Sequence, residues 1–154
     1  MDSQSVKNTD TASPKSYDGC KKISGIKRHI GVDTLGLPVA VFVTTANVSD
    51  RDGALLALQN SGQNMPLVQK IMGDSAYAGE IFQKGVEALL GAAVEVVKRS
   101  EAHIFVVLPK RWIVERSFSW LEKCRRLWKN CERLISTSLQ MIHFAFLALI
   151  LRRL

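Results

Sequence analysis

An arginine and a glutamate four residues apart, Arg111 and Glu115, stand in the segment Pro109–Arg126, PKRWIVERSFSWLEKCRR. A carboxylate oxygen is a good ligand for a hard divalent cation and a guanidinium binds phosphate, so the pair suits chemistry on a phosphodiester. At about 100° per residue the segment predicts an amphipathic helix from Pro109 to about Asn130. Its apolar stripe is Val114, Phe118, Leu121, Cys124 and Trp128, and its polar flank is Arg111, Glu115, Ser119, Glu122 and Arg126. Periodicity alone equally allows an ordinary surface ion pair between the arginine and the glutamate.

Two further carboxylates stand where a metal site would use them. Asp74 follows the strand-like segment Val68–Gly73, VQKIMG, and chemistry in α/β sheets gathers at the carboxyl ends of strands. Asp2 is expected to end a strand that precedes a polar loop. Each has a plain alternative, because Asp74 could cap the next turn and Asp2 could be a disordered terminal residue. Two other acids, Asp18 and Asp33, are rivals for a place in the same site.

The elements that must position these residues follow from hydrophobic periodicity and turn residues. The predicted strands lie at Gly25–Asp33 and Leu37–Thr45, which flank a turn at Leu35–Pro38, and at Val68–Gly73 and Ala93–Lys98; His103–Leu108 is a further strand or an extended approach to the next helix. The predicted helices lie at Asp50–Asn60, at Gly79–Leu90, after Pro109, and at Thr137–Arg153, the last of which is apolar nearly all round. This order predicts an α/β fold, with a mixed sheet flanked by helices in a single domain over residues 1–154.

Composition narrows the class of protein. The 154 residues are 47% hydrophobic, enough for a real core, and the net charge of +7 favours nucleic acid, an anionic membrane surface or an acidic partner. Three cysteines without CxxC spacing favour reduced thiols. The longest apolar run, Phe144–Leu151, is far shorter than the roughly 20 residues of a membrane span, and no signal-peptide core opens the chain. The sequence therefore predicts a soluble cytoplasmic protein without a membrane partner.

A family resemblance runs through almost the whole chain. The segments DSQSVK, GIKRHIGVDTLGLPVAV, TTANVSDRDGA, GDSAYAG and LPKRWIVERSFSWLEKCRRL, in this order, resemble the transposases of the insertion-sequence-five family, within the wider insertion-sequence-four-like DDE group. The resemblance implies a ribonuclease-H-like fold in which Asp2, Asp74 and Glu115 are catalytic and bind two Mg²⁺ or Mn²⁺ ions. Arg111 matches the arginine that the family carries four residues before the glutamate.

The chain also departs from the wider group at two positions of the helix motif. Where the group has a tyrosine and a lysine, this sequence has Leu108 and Glu122. Lys123 or Arg126 could replace the lysine.

The resemblance implies that double-stranded DNA, as insertion-sequence ends and as target, is the partner. The expected phosphate contacts are Arg111, Arg125 and Arg126, extended by a basic track of Lys21, Lys22, Lys27 and Arg28. The alternative for these basic residues is solubility alone. Trp112 and Trp120 flank Glu115 and could stack on an unpaired base, although packing is the commoner use of such residues.

The start of the chain sets further expectations. Similar transposases carry a DNA-binding region and the body of the first strand ahead of DSQSVK, so the first strand is expected to be truncated, with Asp2 free to fray and the chain unable to transpose DNA alone. It could be the second of two reading frames joined by frameshifting, acting with the upstream product or as a homo-oligomer in the bacterial nucleoid, or a broken copy. A general nuclease, and an inactive remnant that binds DNA or a partner, are the alternative functions.

Overall fold

The computed structural model describes residues 1–61, 65, 67–97 and 111–152. Its first four strands are β1 (Asp2–Lys7), β2 (Ser16–Asp18), β3 (Ile23–Val32) and β4 (Pro38–Thr45). They form one antiparallel sheet in which β3 pairs with each of the other three. The predicted hairpin of β3 and β4 is confirmed, whereas the short β2 was not predicted.

The expectation that Asp2 ends a strand and is free to fray is corrected by the structure. DSQSVK is itself a six-residue strand, paired with β3 from Asp2 opposite Ile30 to Lys7 opposite Gly25. The strand therefore continues beyond Asp2, which does not lie at its carboxyl end. Because every residue of β1 has a partner on β3, Asp2 is held by a ladder of backbone hydrogen bonds.

A second, parallel sheet contains β5 (Lys70–Gly73) and β6 (Ala93–Val96). Helix α1 (Asp50–Ser61) precedes it and helix α2 (Glu80–Leu90) connects its strands, as predicted. Gly91 ends α2 in the left-handed conformation, with φ of 64°, which a glycine adopts without steric cost. The sheets meet where the amino group of Met1 donates to the carbonyl of Met72 at 2.7 Å.

The remaining helices are α3 (Arg111–Glu122) and α4 (Ile135–Leu151), and a short 3₁₀ turn, Arg125–Leu127, lies between them. One face of the first sheet packs on α3 and α4 through Val6, Ile26, Ile30, Phe118 and Ile142. A second core joins β4 and β5 to α1 and α2 through Ala40, Ala57, Leu58, Ile71 and Phe82. The structure is thus a mixed α/β arrangement in which the antiparallel sheet lies between two helical layers.

Helix α3 is shorter than predicted, because it ends at Glu122 and not near Asn130. Cys124 adopts extended geometry, and the chain turns so that Leu127 enters the core while Trp128 is 71% exposed. The predicted apolar stripe therefore stops before Trp128, and Arg126 leaves the polar flank. No proline or glycine stands at this turn. The predicted helix was therefore too long, because the apolar periodicity continues past the residue where the helix ends.

Helix α4 is less buried than its composition suggests. Ile142 and Phe146 are in the core, but Phe144, Leu147 and Leu151 are each more than half exposed. No helix in the portion described is both long and apolar enough to cross a membrane. The prediction for His103–Leu108, and Leu108 of the tyrosine position, lie outside the described residues.

Candidate active site

Asp74 is placed by the end of β5. The strand stops at Gly73, and Asp74 then caps the 3₁₀ turn Ser75–Tyr77, its Oδ1 accepting a hydrogen bond from the Ala76 backbone N–H at 2.9 Å. The predicted alternative, that Asp74 caps the next turn, is therefore confirmed. The cap uses only one oxygen of the carboxylate, and the second oxygen, Oδ2, faces the guanidinium of Arg111 at 3.7 Å.

Asp2 lies at the neighbouring strand end, beside the contact between Met1 and Met72. Burial raises the pKa of the Asp2 carboxyl, and the negative charge of Asp74 raises it further. A hydrogen bond from the Ser3 backbone N–H, at 2.7 Å, and the charge of Arg111 oppose this rise without cancelling it. Asp2 is thus a largely buried carboxyl that lies close enough to Asp74 for the charge of Asp74 to act on it.

Arg111 and Glu115 come from the first turns of α3. The Arg111 Nε lies 3.0 Å from Glu115 Oε1, as the four-residue spacing predicts, and the same guanidinium reaches Asp74. The Glu115 side chain is 55% exposed, whereas those of Arg111 and Asp74 are about one-quarter exposed. One arginine therefore bridges two of the three predicted catalytic carboxylates.

Arg111 is the residue that links the predicted site, because it is ion-paired with Asp74 and Glu115 and its charge also acts on Asp2. Asp2, Asp74 and Arg111 also line a cavity of about 440 Å³ whose other walls are mainly apolar. Within the described ranges, no three acidic, histidine or cysteine side chains are already arranged as a metal cage. The donor chemistry nevertheless fits Mg²⁺ or Mn²⁺, because the groups are carboxylates and two of them, Asp2 and Asp74, line the same cavity.

The two rival acids have structural roles. Asp33 Oδ1 accepts hydrogen bonds from the backbone N–H groups of Leu35 at 2.9 Å and Leu37 at 2.8 Å, which fixes the hairpin turn. Asp18 is buried and accepts a hydrogen bond from the Ser5 hydroxyl at 2.6 Å. Asp33 also lines the cavity that contains Asp2, Asp74 and Arg111, so its turn lies beside the candidate site.

Part of the predicted basic track is corrected. Lys27 is 6% exposed and its Nζ lies 3.0 Å from Asp50, while Arg28 is 2% exposed and donates from Nη2 to the Leu127 carbonyl at 2.6 Å. Burial lowers the pKa of Arg28 to about 10. From Gly25 to Gly31 strand β3 is buried on both faces, so these two cations are not presented to DNA. The remaining members, Lys21, Lys22, Arg125 and Arg126, are exposed.

Sequence reasoning missed the role of Arg116. Its guanidinium lies between the rings of Trp112 and Trp120, 4.6 Å and 4.9 Å from their centroids, and donates to the Leu35 carbonyl at 2.7 Å. The signal was present, because tryptophan, arginine and tryptophan recur at four-residue intervals on one helix face. In the structure these tryptophans pack around an arginine, in agreement with the packing alternative.

Comparison with known proteins assigns the family. Residues 1–151 match the family described as "Transposase DDE domain". The chain is 33% identical over 135 residues to a predicted transposase for insertion sequence element IS402 of Burkholderia cepacia. That alignment covers 81% of this chain and 60% of the relative, so the chain spans well under two thirds of the relative's length. No solved structure matches the chain. A family match over nearly every residue, together with a relative of this identity, shows that the chain belongs to the transposase DDE domain family.

Proposed function

We propose that the chain is the catalytic part of an insertion-sequence transposase of the insertion-sequence-five type, which cleaves and joins DNA strands with divalent metal. The observation that supports this proposal is that Arg111 pairs with Asp74 and Glu115, and acts by its charge on Asp2, in a chain of this family. The relative's printed name, a transposase for an insertion sequence, supports the substrate class.

A ribonuclease-H-like fold is part of the proposal. Three antiparallel strands, in the order β4, β3 and β1, are followed by the parallel pair β5 and β6. The contact from Met1 to Met72 brings the start of β1 beside β5, which supports one five-strand layer with Asp2 and Asp74 at adjacent strand ends. In such a layer the carboxyl end of β5 and the start of β1 present their acids to the same side.

Asp2, Asp74 and Glu115 would hold the ions, two Mg²⁺ or Mn²⁺. Bound metal would supply Lewis-acid activation of a water or a 3′-hydroxyl and stabilise the leaving oxygen at phosphorus. The chain's own contribution begins with the cap at Ala76, which fixes one oxygen of Asp74 and leaves the other facing the site. The guanidinium of Arg111 binds a DNA phosphate. That phosphate competes with the carboxylates of Asp74 and Glu115 for the guanidinium.

The partners follow as proposals of the same kind. The DNA would be the ends of the element and the target, met in the bacterial nucleoid. The chain would act together with the product of an upstream reading frame, which would supply the part of the relative that this chain does not span, or it would act as a homo-oligomer.

Metal binding and DNA cleavage, measured separately, test the proposal. Mn²⁺ binding followed by electron paramagnetic resonance should weaken in Asp74→Asn and in Glu115→Gln. Metal-dependent nicking of plasmid carrying the element ends should fall by several orders of magnitude in the same variants, since single catalytic groups often account for that much. Asp10→Asn, an exposed change of the same chemistry, is the control.

Three outcomes separate the rival functions. Variants that bind Mn²⁺ and nick DNA like the parent chain would exclude the carboxylate site. Cleavage without preference for element ends would favour a general nuclease. DNA binding without cleavage under any metal, in the presence of the remaining part of the transposase, would favour the inactive alternative.

A further inference from the structure

The segment between α3 and α4, Lys123–Arg133, forms a basic ledge on the surface. Its cationic side chains are all exposed: Lys123, Arg125, Arg126, Lys129 and Arg133. Its one acid, Glu132, pairs with Arg126 at 2.9 Å. Between the cations stands Trp128, 71% exposed, with Lys129 Nζ 5.6 Å from its ring centroid. Cations interleaved with an open aromatic face are the chemistry that binds nucleic-acid backbone and base together.

The ledge is held firmly, so the exposure of Trp128 is built into the fold. On one side of it Leu127 is buried and its carbonyl accepts from Arg28 at 2.6 Å. On the other side the Asn130 backbone N–H donates to Lys7 at 2.9 Å, and the Asn130 side chain bonds Asn8 at 2.9 Å. Leu127 and Asn130, three residues apart, thus anchor the segment on both sides of Trp128 and hold its large apolar ring in solvent. An apolar side chain held in solvent in this way is typical of a binding surface.

The ledge lies on a line with the candidate active site. Helix α3 touches strand β1 at two places: the charge of Arg111 acts on Asp2, and the Gln4 amide donates to Glu122 at 2.8 Å. Asn130 then joins β1 at its far end, at Lys7. The six residues of β1, which separate the acidic end from the ledge, span about 20 Å. At about 3.4 Å per nucleotide, the ledge is roughly six base pairs of duplex from the acidic site.

We propose that this ledge is a second DNA-contact surface, about six base pairs from the reacting phosphate, where cations bind the backbone and Trp128 stacks on an unpaired base. The inference rests on the proposed function, since it takes DNA as the substrate of the acidic site. It adds a separate surface with its own recognition chemistry, on the layer of α3 and α4 and away from α2.

Fluorescence-detected binding tests the ledge without any cleavage. The probe is a labelled duplex with one unpaired base about six positions from its end, compared with the fully paired duplex. Trp128→Ala should weaken binding of the first probe roughly five- to hundredfold, as removal of a base-stacking aromatic does, and change the second much less. Arg125→Ala should lower the salt dependence of binding by about one counterion, whichever probe is used.

Matched controls keep the outcomes distinct. Leu134→Ala removes an exposed apolar side chain next to the ledge, and Lys84→Ala removes a cation from α2, on the other layer. Both should bind like the parent chain, and circular dichroism melting verifies that every variant is folded. Parent-like binding of the unpaired-base probe by Trp128→Ala would overturn the inference and leave the proposed function standing. Failure of the parent chain to bind any DNA would instead overturn the proposed function.

Discussion

Replacing Asp18 with asparagine should destabilise the folded protein by about 2.5 kcal/mol at neutral pH. The carboxylate is 5% exposed and accepts hydrogen bonds from the Ser5 hydroxyl at 2.6 Å and from the backbone N–H groups of Cys20 at 3.0 Å and Lys21 at 3.1 Å. The Nζ of Lys27 is 3.4 Å away. An asparagine keeps the size of the side chain and removes its charge.

The magnitude follows from the pKa of Asp18. Burial acts to raise this pKa, but the hydrogen bonds and the charge of Lys27 outweigh it and hold the pKa at about 2, against an ordinary value of 3.8. Each pH unit of that difference is worth about 1.4 kcal/mol, which gives about 2.5 kcal/mol. Lys27 keeps Asp50 as a partner at 3.0 Å in the variant, so no buried cation is left alone to add to the cost.

The pH dependence has a definite sign. Because the pKa is lower in the folded than in the unfolded chain, the ionised carboxylate stabilises fully above about pH 4. That stabilisation is lost as the pH falls from 3.8 through about 2. The parent chain and Asp18→Asn should therefore differ most near pH 7 and converge near pH 2.

Urea unfolding followed by circular dichroism at several pH values measures this difference. Asp10→Asn, which makes the same chemical change at an exposed position, should leave the unfolding midpoint unchanged. If Asp18→Asn unfolds at pH 7 with the midpoint of Asp10→Asn, or if its deficit grows toward acid pH, the reasoning from hydrogen bonds and charge is refuted.

Two further substitutions probe the packing of the sheet. Gly53→Ala places a methyl group against the buried ring of His29 and should destabilise the protein by about 1–3 kcal/mol, despite the better helix propensity of alanine. Gly85→Ala is the control and should be near neutral, because the added methyl group meets only the flexible end of a leucine side chain. Equal thermal unfolding midpoints for Gly53→Ala and Gly85→Ala would contradict this prediction. Asn130→Ala removes the amide that bonds the buried side chains of Asn8 and Ser138, so the Asn8 Oδ1 loses its donor, and it should cost about 1–3 kcal/mol. Urea unfolding measures this cost against the exposed change Asn60→Ala. A loss no greater than that of Asn60→Ala would show that the ledge is not anchored through this residue.

Local pattern alone was enough for the elements whose signals are local. The hairpin of β3 and β4, the start of α1 at Asp50 and the end of α2 at Leu90 were predicted within a few residues. Each depends on turn chemistry or on a periodicity that neighbouring residues set by themselves. The spacing of Arg111 and Glu115 likewise predicted their ion pair, because residues four apart are neighbours on any helix.

What only the tertiary structure decided concerns residues whose surroundings come from far along the chain. Lys27 and Arg28 are charged, so their sequence predicted exposure, yet β3 is the central strand and helical layers cover both of its faces. Helix α3 ends at Glu122, and Trp128 turns outward, because the core admits Leu127 and Asn130 bonds to β1. The meeting of Asp2 with Asp74 and Arg111 depends on strand contacts across about 70 residues of chain. Periodicity reports which face of its own element a side chain takes, and only the packing of elements determines whether that face meets water, a charge or the core.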